Sequence, residues 1–169
     1  MKSVLISINP KWCELIASGK KTVEVRKTKP KIKTPFKVYI YETRAQCDRP
    51  IMLDFGALDF HGRGQVIGEF VCDCVFIMWD GYAGNQGGDC LTFDEREKYL
   101  QGKGGYGWHI SNLVIYDNPK YLTEFKKFNR ECWYADLGLA KRDCPKCKNA
   151  ECFMQRPPQS WCYVEETEV

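Results

Sequence analysis

The stretch "NPKWCELIASGKKTVEVR" near the N-terminus places a short helix directly before a strand. Asn9 is a typical N-cap, Pro10 suits the first helical position, and Gly19 suits the residue that ends a helix. In the following residues Val23 and Val25 alternate with polar side chains, the period of a strand that buries one face. We therefore predict a helix that packs on the core and a strand that starts directly after it.

The remaining chain predicts more strands than helices. A second short helix is predicted over 92–102, and further strands over 3–8, 36–43, 64–78, 105–117 and 159–166, of which 64–78 is long enough to bend or bulge. Six or so strands with two or three short helices are typical of an α+β domain, built on a small, strongly bent sheet or barrel.

We expect one domain over 1–169, because no linker or internal repeat divides the chain. Residues 44–63 have weak periodicity and are predicted to form a long loop or a hairpin insertion. Residues 129–158, which are rich in cysteine, are predicted to form a second insertion.

Composition narrows the class of protein. With 44% hydrophobic and 28% charged residues, a chain of 169 residues can bury a real core. No stretch approaches the ~18 apolar residues of a spanning helix, and the N-terminus lacks the apolar core of a signal peptide. We therefore expect a soluble, cytoplasmic protein without a membrane partner. Its ten cysteines are then expected to be thiols or metal ligands more often than disulfides.

Positive charge is concentrated between residues 20 and 37. Glu24 is the one acid among eight basic residues, a local balance of +7: Lys20, Lys21, Arg26, Lys27, Lys29, Lys31, Lys33 and Lys37. Such a run is either a solvated loop without a partner or an electrostatic footprint for phosphate.

The polar face of the predicted strand carries Thr22, Glu24 and Arg26, which point either into solvent or into a cleft. In the first case Glu24 and Arg26 form a surface ion pair with Lys21, and such pairs contribute only ~0–1 kcal/mol. In the second case Lys21 and Arg26 can donate to a phosphate or a carbonyl, and Glu24 can act as an acceptor or a base. The sequence allows both interpretations.

A cysteine cluster lies in the predicted insertion at 129–158. "CPKCKNAEC" brings Cys144, Cys147 and Cys152 within nine residues, a spacing that suits a tetrahedral thiolate site for zinc. Cys132 is the expected fourth ligand, with Cys162 as the alternative, because Cys162 lies mid-strand, where packing explains it. Four thiolates leave no position for water, so the zinc would be structural. Free thiols or a redox pair are the other interpretation.

Several enzyme classes lack sequence support. The patterns of phosphate-loop nucleotide hydrolases, dinucleotide-binding folds and serine hydrolases do not occur in the chain. His61 and His109 are too few for a histidine-rich metal centre, and His109 is expected in the core or at a cleft edge.

The pattern G-x-K-x-x-E-x-R after the first helix, followed by "VIGEF", "GYGWHI" and "PPQSWCYVEE", resembles the ASCH domain, which is related in fold to PUA domains. More narrowly, "INPKWCELIASGKKTVEVRKTKPK" is similar to small ASCH proteins of Gram-positive bacteria and their phages. The resemblance implies a PUA-like β-barrel of five or six strands with flanking helices and a cleft beside this motif. It also implies RNA or nucleotide-like ligands, and places the protein in the cytoplasm of a bacterial host cell.

Some members of this family resemble enzymes that remove the acetyl group from N4-acetylcytidine, and others are described as ribonucleases. The catalytic lysine of the amidohydrolases carries over to Lys21, but Glu24 stands where they have a threonine nucleophile. Their later catalytic carboxylate corresponds to Glu95 or Glu97. An enzyme of this kind would therefore use Glu24 as general base and Lys21 to stabilise the developing charge.

The leading hypothesis is an ASCH protein that binds RNA or a nucleotide-like ligand in a basic cleft. The predicted ligand-binding residues are Lys20, Lys21, Thr22, Glu24, Arg26 and Lys27, with Trp79, Tyr82 or Trp108 stacking on a base. One alternative is a hydrolase acting on a modified nucleoside or on RNA. Another is a protein-interaction module whose contact surface is the zinc-bound insertion.

Overall fold

The computed structural model describes residues 1–44, 51–53, 56–58, 62–78, 88–128 and 152–167. In chain order its elements are β1 (Lys2–Ile8), α1 (Pro10–Ala17), β2 (Val23–Arg26), β3 (Phe36–Glu42), β4 (Ile51–Leu53), β5 (Gly56–Leu58), β6 (Val66–Cys72), β7 (Val75–Met78), α2 (Phe93–Leu100), β8 (Gly105–His109), β9 (Ser111–Lys120), a 3₁₀ turn (Leu122–Glu124) and β10 (Trp161–Glu165).

Two sheets make up the body of the fold. The larger has five strands in the order β10-β1-β3-β6-β9, and the smaller has three in the order β2-β8-β7. Strands β1 and β3 run parallel, whereas the other neighbours are antiparallel. The α+β fold class is confirmed, and β4 and β5 form a separate hairpin inside the predicted insertion at 44–63.

The described residues contain ten strands and not the five or six expected, because two long predicted strands each divide between the sheets and β4 and β5 add a hairpin. The strand predicted over 64–78 breaks at Asp73 and Cys74, so that β6 belongs to the larger sheet and β7 to the smaller. The strand predicted over 105–117 breaks at Ile110 and separates β8 from β9 in the same way. These two crossings connect the sheets.

Both helices begin where the sequence predicts. The side chain of Asn9 accepts a hydrogen bond from the Lys11 N–H at 3.1 Å, and Gly19, with φ of 73°, follows the end of α1. Thr92 and Glu95 form a capping box at the start of α2. These caps fix the two helices that border the cleft described below.

The main core lies between β1, β3, β6 and β8. Trp108 is fully buried at its centre, in edge-to-face contact with Phe36 at 5.8 Å and with Trp161 at 6.0 Å between ring centroids. Cys13 and Ile16 of α1 join the same cluster, so α1 packs on the larger sheet as predicted.

Candidate functional site

A cleft of about 570 Å³ opens where β2, the end of β1 and the two helices meet. Strand β2 is at the edge of the smaller sheet, so one side of it is not covered by another strand of that sheet. The residues that line the cleft are Ser7, Ile8, Asn9, Trp12, Lys21, Glu24, Val25, Arg26, Thr43, Leu91, Glu95, Lys98 and Tyr99.

Three charged side chains lie close together in the lining. Lys21, Glu24 and Arg26 are only 2%, 5% and 8% exposed. One carboxylate oxygen of Glu24 lies 3.5 Å from the Lys21 ammonium, and the other lies 2.9 Å from the Arg26 guanidinium. The surface ion pair, one of the two interpretations of this face, is therefore wrong: the three groups are buried beside a cleft. We call them the cationic triad.

Main-chain carbonyls from distant segments orient the two cations of the triad. Arg26 donates to the carbonyl of Ser7, in β1, at 2.7 Å. Lys21 donates to the carbonyl of Asp89 at 2.6 Å. The carboxylate of Asp89 is itself fixed by Arg96 at 2.7 Å and by the Leu91 N–H at 3.1 Å. The position of the Lys21 ammonium thus depends on the segment that leads into α2.

The cationic triad keeps one spare donor and excess positive charge. The Nε–H of Arg26 is buried and has no hydrogen-bond acceptor among the described residues. A buried donor without a partner costs ~1–3 kcal/mol, which an acceptor on a ligand would recover. With two cations around one carboxylate, the triad also carries a net positive charge. This combination favours an anionic or acceptor-rich ligand.

Helix α2 contributes the carboxylate of Glu95 and the ammonium group of Lys98 to the lining of the cleft. Glu95 accepts a hydrogen bond from the Thr92 N–H at 3.0 Å and pairs with Lys11 at 3.1 Å. The hydrogen bond from Thr92, followed by the contact with Lys11, holds the pKa of Glu95 below its usual value. Of the two candidates for a later carboxylate, Glu95 lies in the lining, and Glu97 is not part of it.

Two aromatic side chains border the cleft, and the sequence did not single out either of them as a ligand contact. Trp12 has the ammonium groups of Lys11 and Lys21 at 4.3 and 5.2 Å from its ring centroid. Tyr99 has Lys27 at 5.4 Å. The half-buried ring of Trp12 also packs against the main core. The sequence signal that could have identified Trp12 as a cleft residue was its position in the first turn of α1, directly after Lys11.

Of the aromatic residues predicted to stack on a ligand, the one that the structure describes is not in the cleft lining. Trp108 is fully buried in the main core and offers no surface to a base, so that prediction is corrected. Trp79 and Tyr82 lie outside the described residues. Lys20, Thr22 and Lys27 are exposed and do not belong to the lining, although they flank it in the chain.

His109 also lies outside the cleft lining. Its Nδ1 is 2.7 Å from a carboxylate oxygen of Asp73, and both side chains are close to half exposed. The hydrogen bond with His109 lowers the pKa of Asp73. His61 is not among the described residues.

Most of the predicted zinc site falls outside the described part of the chain. Cys132, Cys144 and Cys147 are not described, whereas Cys152 and Cys162 are half-buried. Cys162 lies within β10, and burial raises the pKa of its thiol to about 11. Among the residues that the structure covers, no group of three or more metal-ligating side chains comes together.

The two-sheet fold with a cleft at a sheet edge is PUA-like. A tyrosine-to-phenylalanine variant of an ASCH protein from Zymomonas mobilis, known from its crystal structure, superposes with a TM-score of 0.62. The two are 19% identical over 98% of this chain and 92% of that one. A serine-to-alanine variant and the unmodified protein give TM-scores of 0.54 and 0.53 at 17% and 18% identity. They cover 97% of this chain and 89% and 88% of theirs.

Residues 6–135 match the ASCH domain family, so the chain belongs to that family. No curated protein matches it at a significant level. ASCH domains have a PUA-like fold that is associated with RNA binding. No helix in the described ranges is long and apolar enough to cross a membrane.

Proposed function

We propose that this ASCH protein binds RNA or a nucleotide-like ligand in the cleft beside β2. The supporting observation is the cationic triad, in which the buried Nε–H of Arg26 has no acceptor among the described residues and lies next to an excess of positive charge. A phosphate or a base carbonyl would supply that acceptor. Trp12 and Tyr99 border the same cleft and would stack on a base, a contact worth ~1–3 kcal/mol in single-strand binders.

Isothermal titration at low salt with nucleoside monophosphates and short single-stranded RNAs tests this proposal. Arg26→Lys keeps the charge but removes the fork of donors, so we expect affinity to fall at least tenfold. Lys103→Met, which removes an exposed lysine in the turn after α2, is the control and should leave affinity unchanged. Absence of binding by the unmodified protein to every member of the panel would refute the proposal.

Hydrolysis of a modified nucleoside, as in N4-acetylcytidine amidohydrolases, or of RNA is the second candidate. It is favoured by a carboxylate that lies 3.5 Å from a lysine inside the cleft. Glu24 would take a proton from water while Lys21 stabilises the charge on the attacked group. Both oxygens of Glu24 already face a cation, so one ion pair must loosen before this carboxylate can act as a base.

Turnover by Glu24→Gln separates the two candidates. An enzyme of this kind loses turnover in that variant and retains ligand binding, whereas Glu97→Gln, outside the lining, serves as the control. Turnover that persists unchanged in Glu24→Gln would exclude this assignment. Both variants must be compared at a temperature where circular dichroism shows them folded.

We also propose a structural zinc bound by Cys144, Cys147, Cys152 and Cys132, with Cys162 as the alternative fourth ligand. The support is the thiolate spacing and the position of Cys162 within β10, where packing accounts for it. Metal analysis should find about one zinc per chain. A content below about a tenth of that would refute it. A protein-interaction role for 129–158, and kinship with the Gram-positive and phage members of the family, stay predictions.

A further inference from the structure

The loop after β2 has two different sides. From Lys27 to Lys33 every second residue is a lysine, and all four lysines are exposed. Two of the three residues between them face the protein: Pro30 is buried, and Ile32 packs against the main core, whereas Thr28 is exposed. We call residues 27–33 the lysine strap.

Strand β10 fixes this strap at two points. Trp161 donates from its indole nitrogen to the hydroxyl of Thr28 at 3.1 Å. The main-chain N–H of Lys31 donates to the hydroxyl of Tyr163 at 2.6 Å. Because its backbone is anchored in this way, the strap presents its lysines at defined places and not as a free tail.

The strap lysines keep their charge available. Lys11, Lys21 and Lys37 each pair with a carboxylate. No carboxylate of the described residues pairs with a strap lysine. The ammonium groups of Lys27 and Lys29 instead lie 5.4 and 5.3 Å from the ring centroids of Tyr99 and Tyr106. A ring steadies an ammonium without neutralising it, so its N–H donors stay free for phosphate.

The strap is continuous with the cleft. Lys27 directly follows Arg26 of the cationic triad, and the ring below the Lys27 ammonium belongs to Tyr99 in the cleft lining. A row of anchored, unpaired cations that starts at the rim of a basic cleft fits a polyanion longer than the cleft itself.

We propose that the ligand is a single-stranded polynucleotide: one nucleotide occupies the cleft while the phosphates of its neighbours bind along the lysine strap. This inference rests on the proposed function and extends it from a nucleotide-like ligand to a strand of several nucleotides. Lys27 and Lys29 then contact the sugar-phosphate backbone. Such contacts contribute affinity but no base specificity.

Fluorescence anisotropy with 12-nucleotide single-stranded RNA and DNA of the same sequence, together with titration of a nucleoside monophosphate, tests this inference. The variant is Lys27→Ala with Lys29→Ala. The matched control is Lys120→Ala with Lys126→Ala, because those ammonium groups also lie over aromatic rings, of Tyr116 and Phe153. Thermal melting verifies that both double variants fold.

We expect the strap variant to bind the 12-nucleotide strand about tenfold more weakly at low salt, and the slope of log K against log salt to shrink by about 1.4. Affinity for the monophosphate should not change. Loss with both strands identifies backbone recognition common to RNA and DNA, and loss with RNA alone identifies RNA as the ligand. Either result supports the inference.

Unchanged affinity for the 12-nucleotide strand would overturn the inference while leaving the proposed function intact. An equal loss in the control variant, or an equal loss of monophosphate affinity, would overturn it as well. If the unmodified protein binds neither strand nor monophosphate, the proposed function itself fails.

Discussion

The part of the protein that the structure describes contains two ion triads of opposite design, each beside a cleft. In the cationic triad, two cations surround the carboxylate of Glu24. On the larger sheet, two carboxylates surround a cation, since Lys37 lies 3.0 Å from Glu69 and 3.7 Å from Glu166. We call this second group the anionic triad, and it borders a cleft of about 700 Å³.

Burial and hydrogen bonding distinguish the two groups. Side chains of the cationic triad are 2–10% exposed, and those of the anionic triad are 13–30% exposed. The second carboxylate oxygen of Glu69 accepts from the Tyr116 hydroxyl at 2.5 Å, whereas the Arg26 Nε–H has no acceptor among the described residues. Both oxygens of Glu69 thus have partners within the protein, but the cationic triad retains a donor that a ligand can use.

The largest expected difference is in stability. Glu24→Gln leaves two buried cations without their carboxylate, which should lower the free energy of unfolding by about 3–5 kcal/mol. Glu69→Gln removes one partner from a more exposed group, and should cost about 1–2 kcal/mol. Urea denaturation at pH 7 measures both values. Equal losses would mean that burial does not separate the two triads.

The second largest difference between the two triads should be in their effect on ligand affinity. Lys21→Met removes a cation from the cleft and is expected to weaken binding of a single-stranded RNA at least tenfold, because phosphate contacts dominate such affinity. Lys37→Met removes a cation from the anionic triad and should leave binding unchanged. Anisotropy at low salt compares the two variants. A similar loss in both would show that the protein binds through its overall charge and not through this cleft.

The smallest difference should appear in the pH dependence of stability. Glu95, in the wall of the cleft, has a pKa below its ordinary value of 4.5, so its contribution is present above that pH and is lost as the pH falls through the lowered pKa. Burial lowers the pKa of Lys37, but the hydrogen bond to Glu69 and the nearby negative charges outweigh it and raise the pKa above 10.5. The contribution of Lys37 is therefore lost as the pH rises through the raised pKa.

Urea midpoints across the pH range check these signs. Glu95→Gln should flatten the acid side of the profile, and Lys37→Met the alkaline side. If the Glu95→Gln variant still loses stability at acid pH, that loss of stability comes from other carboxylates.

Local signals predicted the helices well, but the burial of the cationic triad could not be read from the sequence. Asn9 marked the start of α1, and Thr92 was one of two candidate caps for α2 beside Asp94, because capping depends on residues close in the chain. Lys21 and Arg26 are held in their buried positions by the carbonyls of Asp89 and Ser7, which are far from them in sequence. Alternation in β2 predicted that Glu24 and Arg26 share one face, not what covers it.

The misassignment of Trp108 has a different physical cause. Its setting in "GYGWH" suggested a polar, ligand-facing surface. The structure explains Gly107 by packing instead, since a Cβ there would lie 2.4 Å from the ring of Phe76. Glycine within a strand also permits close approach of another side chain, and here it marks a crowded core.

We infer above all that the spare Nε–H of Arg26 donates to the bound ligand. Side-chain NMR of the Arg26 Nε–H during titration with a nucleoside monophosphate tests it most directly. The indole N–H of Trp108 is the internal control, since it is also buried without an acceptor among the described residues but lies in the core. We expect the Arg26 resonance to shift in proportion to occupancy while the Trp108 resonance stays in place. Saturable binding that leaves the Arg26 resonance unmoved would contradict the account.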